Sequence, residues 1–242
     1  MAKASLHGEP LASLRKELKK VADQGIAEQS QWFFRTGEGE YGEGDRFLGI
    51  RVPVLRTFAR KYKDISLDSC RELLDSPFHE ERLLALFILV IQFEKGDDSC
   101  RKAVFDLYFE KLGRVNNWDL IDSSAPHIAG AWLADKKRDI LYTLARSDNL
   151  WERRIAILAT FVYIKNNSYD DTLAIAGMLK GDTEDLIHKA VGWMLREVGK
   201  RDGEAERAFL REHYSDMPRT MLRYAIERFP EDERQRFLKG RV

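Results

Sequence analysis

Only two cysteines occur in the chain, Cys70 and Cys100, and neither belongs to a CxxC pair. A disulfide framework and a thiolate metal site are both excluded on that count. The five histidines (His7, His79, His127, His188 and His213) are scattered, with no HxxxH or HExxH spacing, which argues against a zinc enzyme. No GxGxxG and no GxxxxGK[ST] is present, so no loop is available to cradle a nucleotide, and no metal or cofactor is expected. The longest apolar run, "LLALFILVI" (83–91), falls well short of the roughly 18 residues that a membrane span needs. The opening segment "MAKASLHGEPLASLRKELKK" lacks the apolar stretch of a secretory signal, so the expectation is a cytoplasmic protein with no membrane partner. Charge of one sign is missing too. Forty basic residues balance forty acidic ones, so any anion-binding surface must come from local concentration of cations.

What is present is helical periodicity almost throughout, without strand alternation. The pattern predicts helices near 10–24, 53–62, 68–75, 79–94, 98–112, 116–133, 135–146, 149–166, 169–180, 183–200, 204–214, 217–229 and 231–239. Ser76-Pro77, Asp182, Met217-Pro218 and Pro230 mark helix starts. The Gly-rich acidic stretch "TGEGEYGEGDRF" (36–47) would repel phosphate and reads as a surface loop over 36–46. A weak repeat runs through "HEERLLALFIL" (79–89), "LWERRIAILAT" (150–160), "LIHKAVGWMLRE" (186–197) and "MPRTMLRYAIE" (217–227). Each places a polar or basic turn ahead of an apolar helix. The spacing fits a period of about 35 to 40 residues with two helices per unit, as in HEAT-like repeats. The expected fold class is therefore all-α, a HEAT-like α-solenoid of antiparallel helix pairs in a curved superhelix, with residues 1–242 as a single domain.

Within 183–200, Val191, Met194, Leu195 and Val198 form an apolar stripe, while Lys189, Trp193, Arg196 and Lys200 form a second one. A lone helical Trp is usually core. Trp193 shares its stripe with three cations, which suits a nucleic-acid contact instead. Arg153 and Arg154 sit in a first helical turn, where the macrodipole disfavours them. A surface ion pair with Asp148 or Glu152 accounts for Arg153, and phosphate binding is the reading for Arg154. Arg219 and Arg223, one turn apart, extend the same pattern, so stacked repeats would align these cations in a track.

"VNNWDLIDSSAP" (115–126) places Trp118 and Asp122 four residues apart on one face, opposite Ile121, Ser124, Ala125 and Ile128. Asn116 or Asn117 is the expected cap, Asp122 is expected in mid-helix, and Asp119 points off the Trp face as a support for the helix. A solvated Asp beside a core Trp is the bland reading.

"WDLIDS" (118–123), "SDNLWERRIAIL" (147–158) and "IHKAVGWMLRE" (187–197), with weaker support from "FLGIRVPVLR" (47–56), resemble the AlkD-like DNA glycosylases of the HEAT-like repeat superfamily. The resemblance runs in order over nearly the whole chain. It implies excision of cationic N3- or N7-alkylated purines from duplex DNA without drawing the base into a deep pocket. Asp122 matches the family's catalytic aspartate, Trp118 and Trp193 its aromatic pair, and Arg154 its backbone-gripping arginine. Lys189, Arg196, Lys200, Arg219 and Arg223 complete the expected DNA contacts. The expected partner is double-stranded DNA carrying alkylated bases, bound by a monomer that is nucleoid-associated when on DNA. Better-studied members carry a second tryptophan where this chain has Asn117, which leaves lesion preference open. Two other readings remain: a non-catalytic HEAT-like protein recognising damaged or branched DNA, and a protein-binding scaffold.

Overall fold

The run "HEERLLALFILVIQFEK" becomes helix α5 (His79–Lys95), and it is buried on nearly all sides. That is why its apolar residues run continuously rather than falling in one stripe. The computed structural model describes residues 8–242; His7 and the first residues of the N-terminal segment lie outside the described residues. Two compact units are present, one ending at Ser124 and the other beginning at Ala125. The division falls inside the "VNNWDLIDSSAP" stretch.

In the first unit, α5 is surrounded by α3 (Val52–Lys61), α4 (Leu67–Leu74), α6 (Asp98–Glu110) and the short α7 (Trp118–Asp122). Helices α1 (Gly8–Lys20) and α2 (Gln24–Phe33) precede them. Between α2 and α3 lies the Gly-rich stretch, built of turns, which ends in an isolated bridge between Arg46 and Phe78. The sequence pattern does not predict α2. Only Ala27 of this helix is buried while Trp32 and Phe33 stand in solvent, so no buried apolar stripe marks it. Its start is set instead by Asp23, whose Oδ1 accepts the Ile26 N–H at 2.9 Å.

The second unit contains α8 (Asp139–Ala145), α9 (Leu150–Ala159), α10 (Phe161–Lys165), α11 (Asp170–Leu179) and α12 (Asp185–Gly199). It continues with α13 (Gly203–His213), α14 (Arg219–Ala225) and α15 (Glu231–Leu238). Helix α8 packs on α9, α11 on α12 and α13 on α12, and the alternate helices α9, α12 and α14 pack in succession. That is helical-repeat stacking. In α12, Ile187, Ala190, Val191, Met194, Leu195 and Val198 are wholly buried, each large side chain contributing roughly 1.5–3 kcal/mol. Gly192 lets α14 come close, since a Cβ there would lie 2.5 Å from the Met221 carbonyl oxygen. Among the described residues there is no β-strand, and no helix is long and apolar enough to cross a membrane.

Two predicted helices are broken. The expected span 149–166 divides at Thr160, whose buried hydroxyl donates to the Ile157 carbonyl at 2.7 Å and bends the backbone. The span 116–133 divides after Asp122: Pro126 has no N–H to continue the ladder, and Pro126–Gly130 winds as a π-turn, with Gly130 N–H on the Ala125 carbonyl. Asp122 therefore ends a five-residue helix rather than sitting in the middle of a long one.

Glu206 of α13 is buried against Gly199, and its Oε1 meets no partner. Burial pushes its carboxyl up to about 8; the neighbouring Arg207 opposes that shift. The folded chain then keeps a proton that the unfolded chain releases near the ordinary glutamate value. Stability therefore falls as pH rises between about 4.5 and 8, by up to about 1.4 kcal/mol per unit. Glu206→Gln removes that fall, so its advantage in Tm over the parent grows between pH 5 and pH 8. Thermal melts across that range check it, and a constant difference refutes it.

Candidate functional site

The motif "NNWDLID" is assembled from its cap outward. Asn117 begins α7, its Oδ1 accepting the Trp118 N–H at 2.8 Å, and its Nδ2 donates to Asp45 Oδ2 at 3.3 Å. Trp118, half-buried, stacks on Phe34 with ring centroids 5.4 Å apart and meets the edge of Phe33 at 6.0 Å. Asp122 lies one turn on, half-buried. Its charge disfavours ionisation of Tyr108, whose pKa is raised first by burial. Below α7, Ile121, Ser124, Ala125 and Ile128 are wholly buried, the face expected of them. Ser124 Oγ donates to the Leu120 carbonyl at 2.6 Å and accepts from the Tyr108 hydroxyl at 3.2 Å, fixing the turn that follows Asp122.

Asp119 does more than support the helix. Its Oδ2 accepts from His79 Nε2 at 2.8 Å, while His79 Nδ1 donates to Asp45 Oδ2 at 3.0 Å. Both ring nitrogens face carboxylates, which only accept, so the buried ring is an imidazolium. Burial lowers its pKa, but the charges and hydrogen bonds of Asp119 and Asp45 outweigh that and bring it to about 9. Asp45 also takes Arg82 Nη2 at 2.6 Å, and its carboxyl stays below the usual range despite burial because His79 and Arg82 face it. The imidazolium stacks on Phe47 at 4.8 Å and lies tilted against Phe34 at 4.9 Å. Sequence reasoning missed this cluster because its members come from three separate segments. The signal available was "HEER" (79–82), four polar residues leading an apolar helix, all four buried.

In the second unit the predicted cations are mostly paired. Arg154 is 5% exposed and donates Nη1 to the Leu186 carbonyl at 2.5 Å, joining α9 to the first turn of α12. Arg153 pairs with Asp182 at 2.6 Å and donates to the Ser147 and Asp148 carbonyls, in place of the expected Asp148 or Glu152 carboxylates. Lys189 pairs with Asp185 at 2.6 Å, Lys200 with Glu197 at 2.6 Å, and Arg196 with Glu227. Trp193 is half-buried, its Nε1 donating to Glu197 Oε1 at 3.1 Å, with Phe161 6.0 Å away. Arg219 donates to the Leu238 carbonyl at 3.1 Å and is exposed, as is Arg223. The stripe of Lys189, Trp193, Arg196 and Lys200 therefore lies among acidic partners, Asp185 and Glu197 at helical spacing within α12 and Glu227 from outside it. Among the described residues no group of three or more His, Cys, Asp or Glu is placed to hold a metal ion.

The folded His79 holds a proton to about pH 9, whereas the unfolded ring releases it near 6.5. Its contribution to stability is complete below pH 6.5 and is lost as pH rises through 9. His79→Gln should therefore destabilise the protein more at pH 6 than at pH 9.5, by more than 1 kcal/mol in difference (about one pKa unit's worth). Urea unfolding at the two pH values measures this; equal losses would show that His79 is not an ion pair.

Comparison with known proteins matches the chain to a family. The family described as DNA alkylation repair enzyme matches residues 14–229. Among solved structures, a protein described as a predicted DNA alkylation repair enzyme from Enterococcus faecalis superposes with a TM-score of 0.66 at 15% identity. The match covers 87% of this chain and 97% of that one. AlkD2 from Streptococcus mutans superposes with a TM-score of 0.53 at 15% identity, over 92% of this chain and 98% of that one. No curated protein matches the chain. The two likenesses agree in fold, and the family match spans both compact units: the chain belongs to the family of DNA alkylation repair enzymes.

Proposed function

We propose that the chain is a DNA glycosylase that removes cationic N3- or N7-alkylated purines from duplex DNA, acting as a monomer. The observation that carries this reading is the pairing of Trp118 with Asp122 on a short helix, the ring braced by Phe34 and the carboxylate half-exposed at the helix end. Alkylation at N3 or N7 makes the base a cation and a good leaving group, so no strong general acid is required. As the C1′–N bond breaks, positive charge develops on the sugar. The Asp122 carboxylate stabilises that charge and orients the attacking water. Trp118 and Trp193 offer indole faces that attract a cationic base or sugar.

DNA contact falls to the cations whose heads reach solvent: Lys189, Lys200, Arg219 and Arg223. Arg196 and Arg154 are more enclosed. For Arg154 the contribution is chiefly to hold α9 against Leu186 and so to set the first turn of α12. A binding protein for damaged DNA without catalysis would share these cations but would not need Asp122.

Two measurements test the reading. Asp122→Asn should lower the release of 3-methyladenine and 7-methylguanine from methylated duplex DNA by about 100-fold or more while duplex affinity stays within two- to three-fold. Unchanged release would remove Asp122 from the chemistry. Arg223→Ala and Lys189→Ala should each weaken duplex binding and make the slope of log K against log salt shallower by about 0.9. Slopes identical to the parent's would place the phosphates elsewhere.

A further inference from the structure

Helix α7 is too short to hold its own direction. It spans five residues, and helices below about 12 residues are marginal in water without outside support. Two backbone bonds close its single turn, Ile121 N–H on the Asn117 carbonyl and Ser123 N–H on the Asp119 carbonyl, both at 3.2 Å. Leu120 and Ile121 are buried beneath it, which fixes the side that faces the core. Apolar burial is non-directional, however, and leaves the helix free to roll about its axis. Direction comes from two hydrogen bonds that flank Trp118 and converge on one cluster. Asn117 Nδ2 donates to Asp45 Oδ2 at 3.3 Å, and Asp119 Oδ2 accepts from His79 Nε2 at 2.8 Å. Asp45 also holds the other side of the His79 ring, at 3.0 Å. Phe34 adds a contact through rings, touching both His79 at 4.9 Å and Trp118 at 5.4 Å.

We propose that Asp119, held by His79, is the positioning residue for Asp122. It sets the roll of α7, and with it where the Asp122 carboxylate and the Trp118 ring stand against the sugar of a damaged nucleotide. Residues three apart are neighbours on a helix surface, so a tether at Asp119 acts on Asp122 over a single turn. Placement matters because a misplacement of about 1 Å at a reacting centre can cost about 100-fold in rate. The inference rests on the role proposed above for Asp122 and adds the device that aims it. Asp119 also lines an open cleft, so water can replace a shortened side chain on His79 Nε2 and the fold survives the loss of the tether.

Two duplexes test this, each with one abasic-site analogue. One carries a pyrrolidine ring, whose protonated nitrogen mimics the cationic sugar, and the other an uncharged tetrahydrofuran ring. The ratio of their affinities reports whether the Asp122 carboxylate stands at the sugar, and it needs no turnover. The parent should prefer the charged site by about 10-fold or more, a preference that Asp122→Asn abolishes. Asp119→Ser, too short to reach His79, should cut the preference about five-fold and the release of 7-methylguanine about 10-fold or more, with affinity for the uncharged site within about two-fold. Asp119→Asn keeps an oxygen for His79 Nε2–H and should restore most of both. Asn117→Ser keeps a cap for α7 but not the donor to Asp45; it should show a smaller loss, and it carries the test if Asp119→Ser fails to fold. A preference unchanged in the serine variants overturns the proposal. So does an Asp119→Asn as weak as Asp119→Ser, which would make the charge of Asp119, not its tether, the contributor. A parent with no preference overturns the role of Asp122 and the positioning with it. A preference that vanishes in Asp122→Asn but survives in Asp119→Ser overturns the positioning alone.

Discussion

The first unit depends on a buried imidazolium. His79 has almost no access to water, yet it carries a charge, and a buried charge is tolerated only when it is paired and hydrogen-bonded. Asp45 and Asp119 meet that requirement from opposite sides of the ring, and Arg82 offsets the second carboxylate. Three stretches far apart in sequence are thereby tied to one point: the end of the Gly-rich segment, the first turn of α5 and the first turn of α7. Removing either carboxylate would leave the other members of the group unbalanced, which is costlier than the pair's own net contribution. The arrangement thus fixes position more than it adds stability. What it fixes is α7, the helix that carries Trp118 and Asp122.

The neighbouring Glu80 works in the same way on the backbone. Its carboxylate accepts the N–H groups of Leu48, Gly49 and Ile50 at 2.8 to 3.2 Å. That cradle requires Gly49 at a positive φ of 78°, where a side chain would strike the Asp23 carbonyl. Glu81 in turn holds Arg15 of α1 at 3.1 Å. The first turn of α5 is therefore the hub through which α1, the segment before α3, and α7 are placed. Its acidic residues also suit a helix N-terminus whose cap, Phe78, offers no side-chain acceptor.

Much of the helical repeat was legible because apolar periodicity records burial directly. The stripe of α12 and the buried side of α7 lie where spacing puts them, and Asn117, Pro218 and Pro230 mark helix starts as their chemistry dictates. Legibility failed where a tertiary partner decides the outcome. Helix α2 has an exposed aromatic end and almost no buried face, so its pattern resembles a loop. Asp119 looked like a helix support because its partner His79 is 40 residues away. The basic stripe of α12 is paired both within the helix, by Asp185 and Glu197, and from outside it by Glu227, and only the last of these is hidden from helical spacing. Helical spacing says which residues share a face, but not what the face meets.

That last failure bears on how a neutral chain can work on DNA. A lysine already paired with Asp185 or Glu197 gains little by exchanging a carboxylate for a phosphate, since one exposed ion pair replaces another. Phosphate contact through such residues is modest in affinity and steep in its response to salt. Recognition must then draw more heavily on contacts that salt does not screen. The exposed rings of Trp32 and Phe33 and the half-buried Trp118 and Trp193 are of that kind. In the function proposed here, the chemistry falls to the Asp122 carboxylate, placed one helical turn from the Trp118 ring on α7.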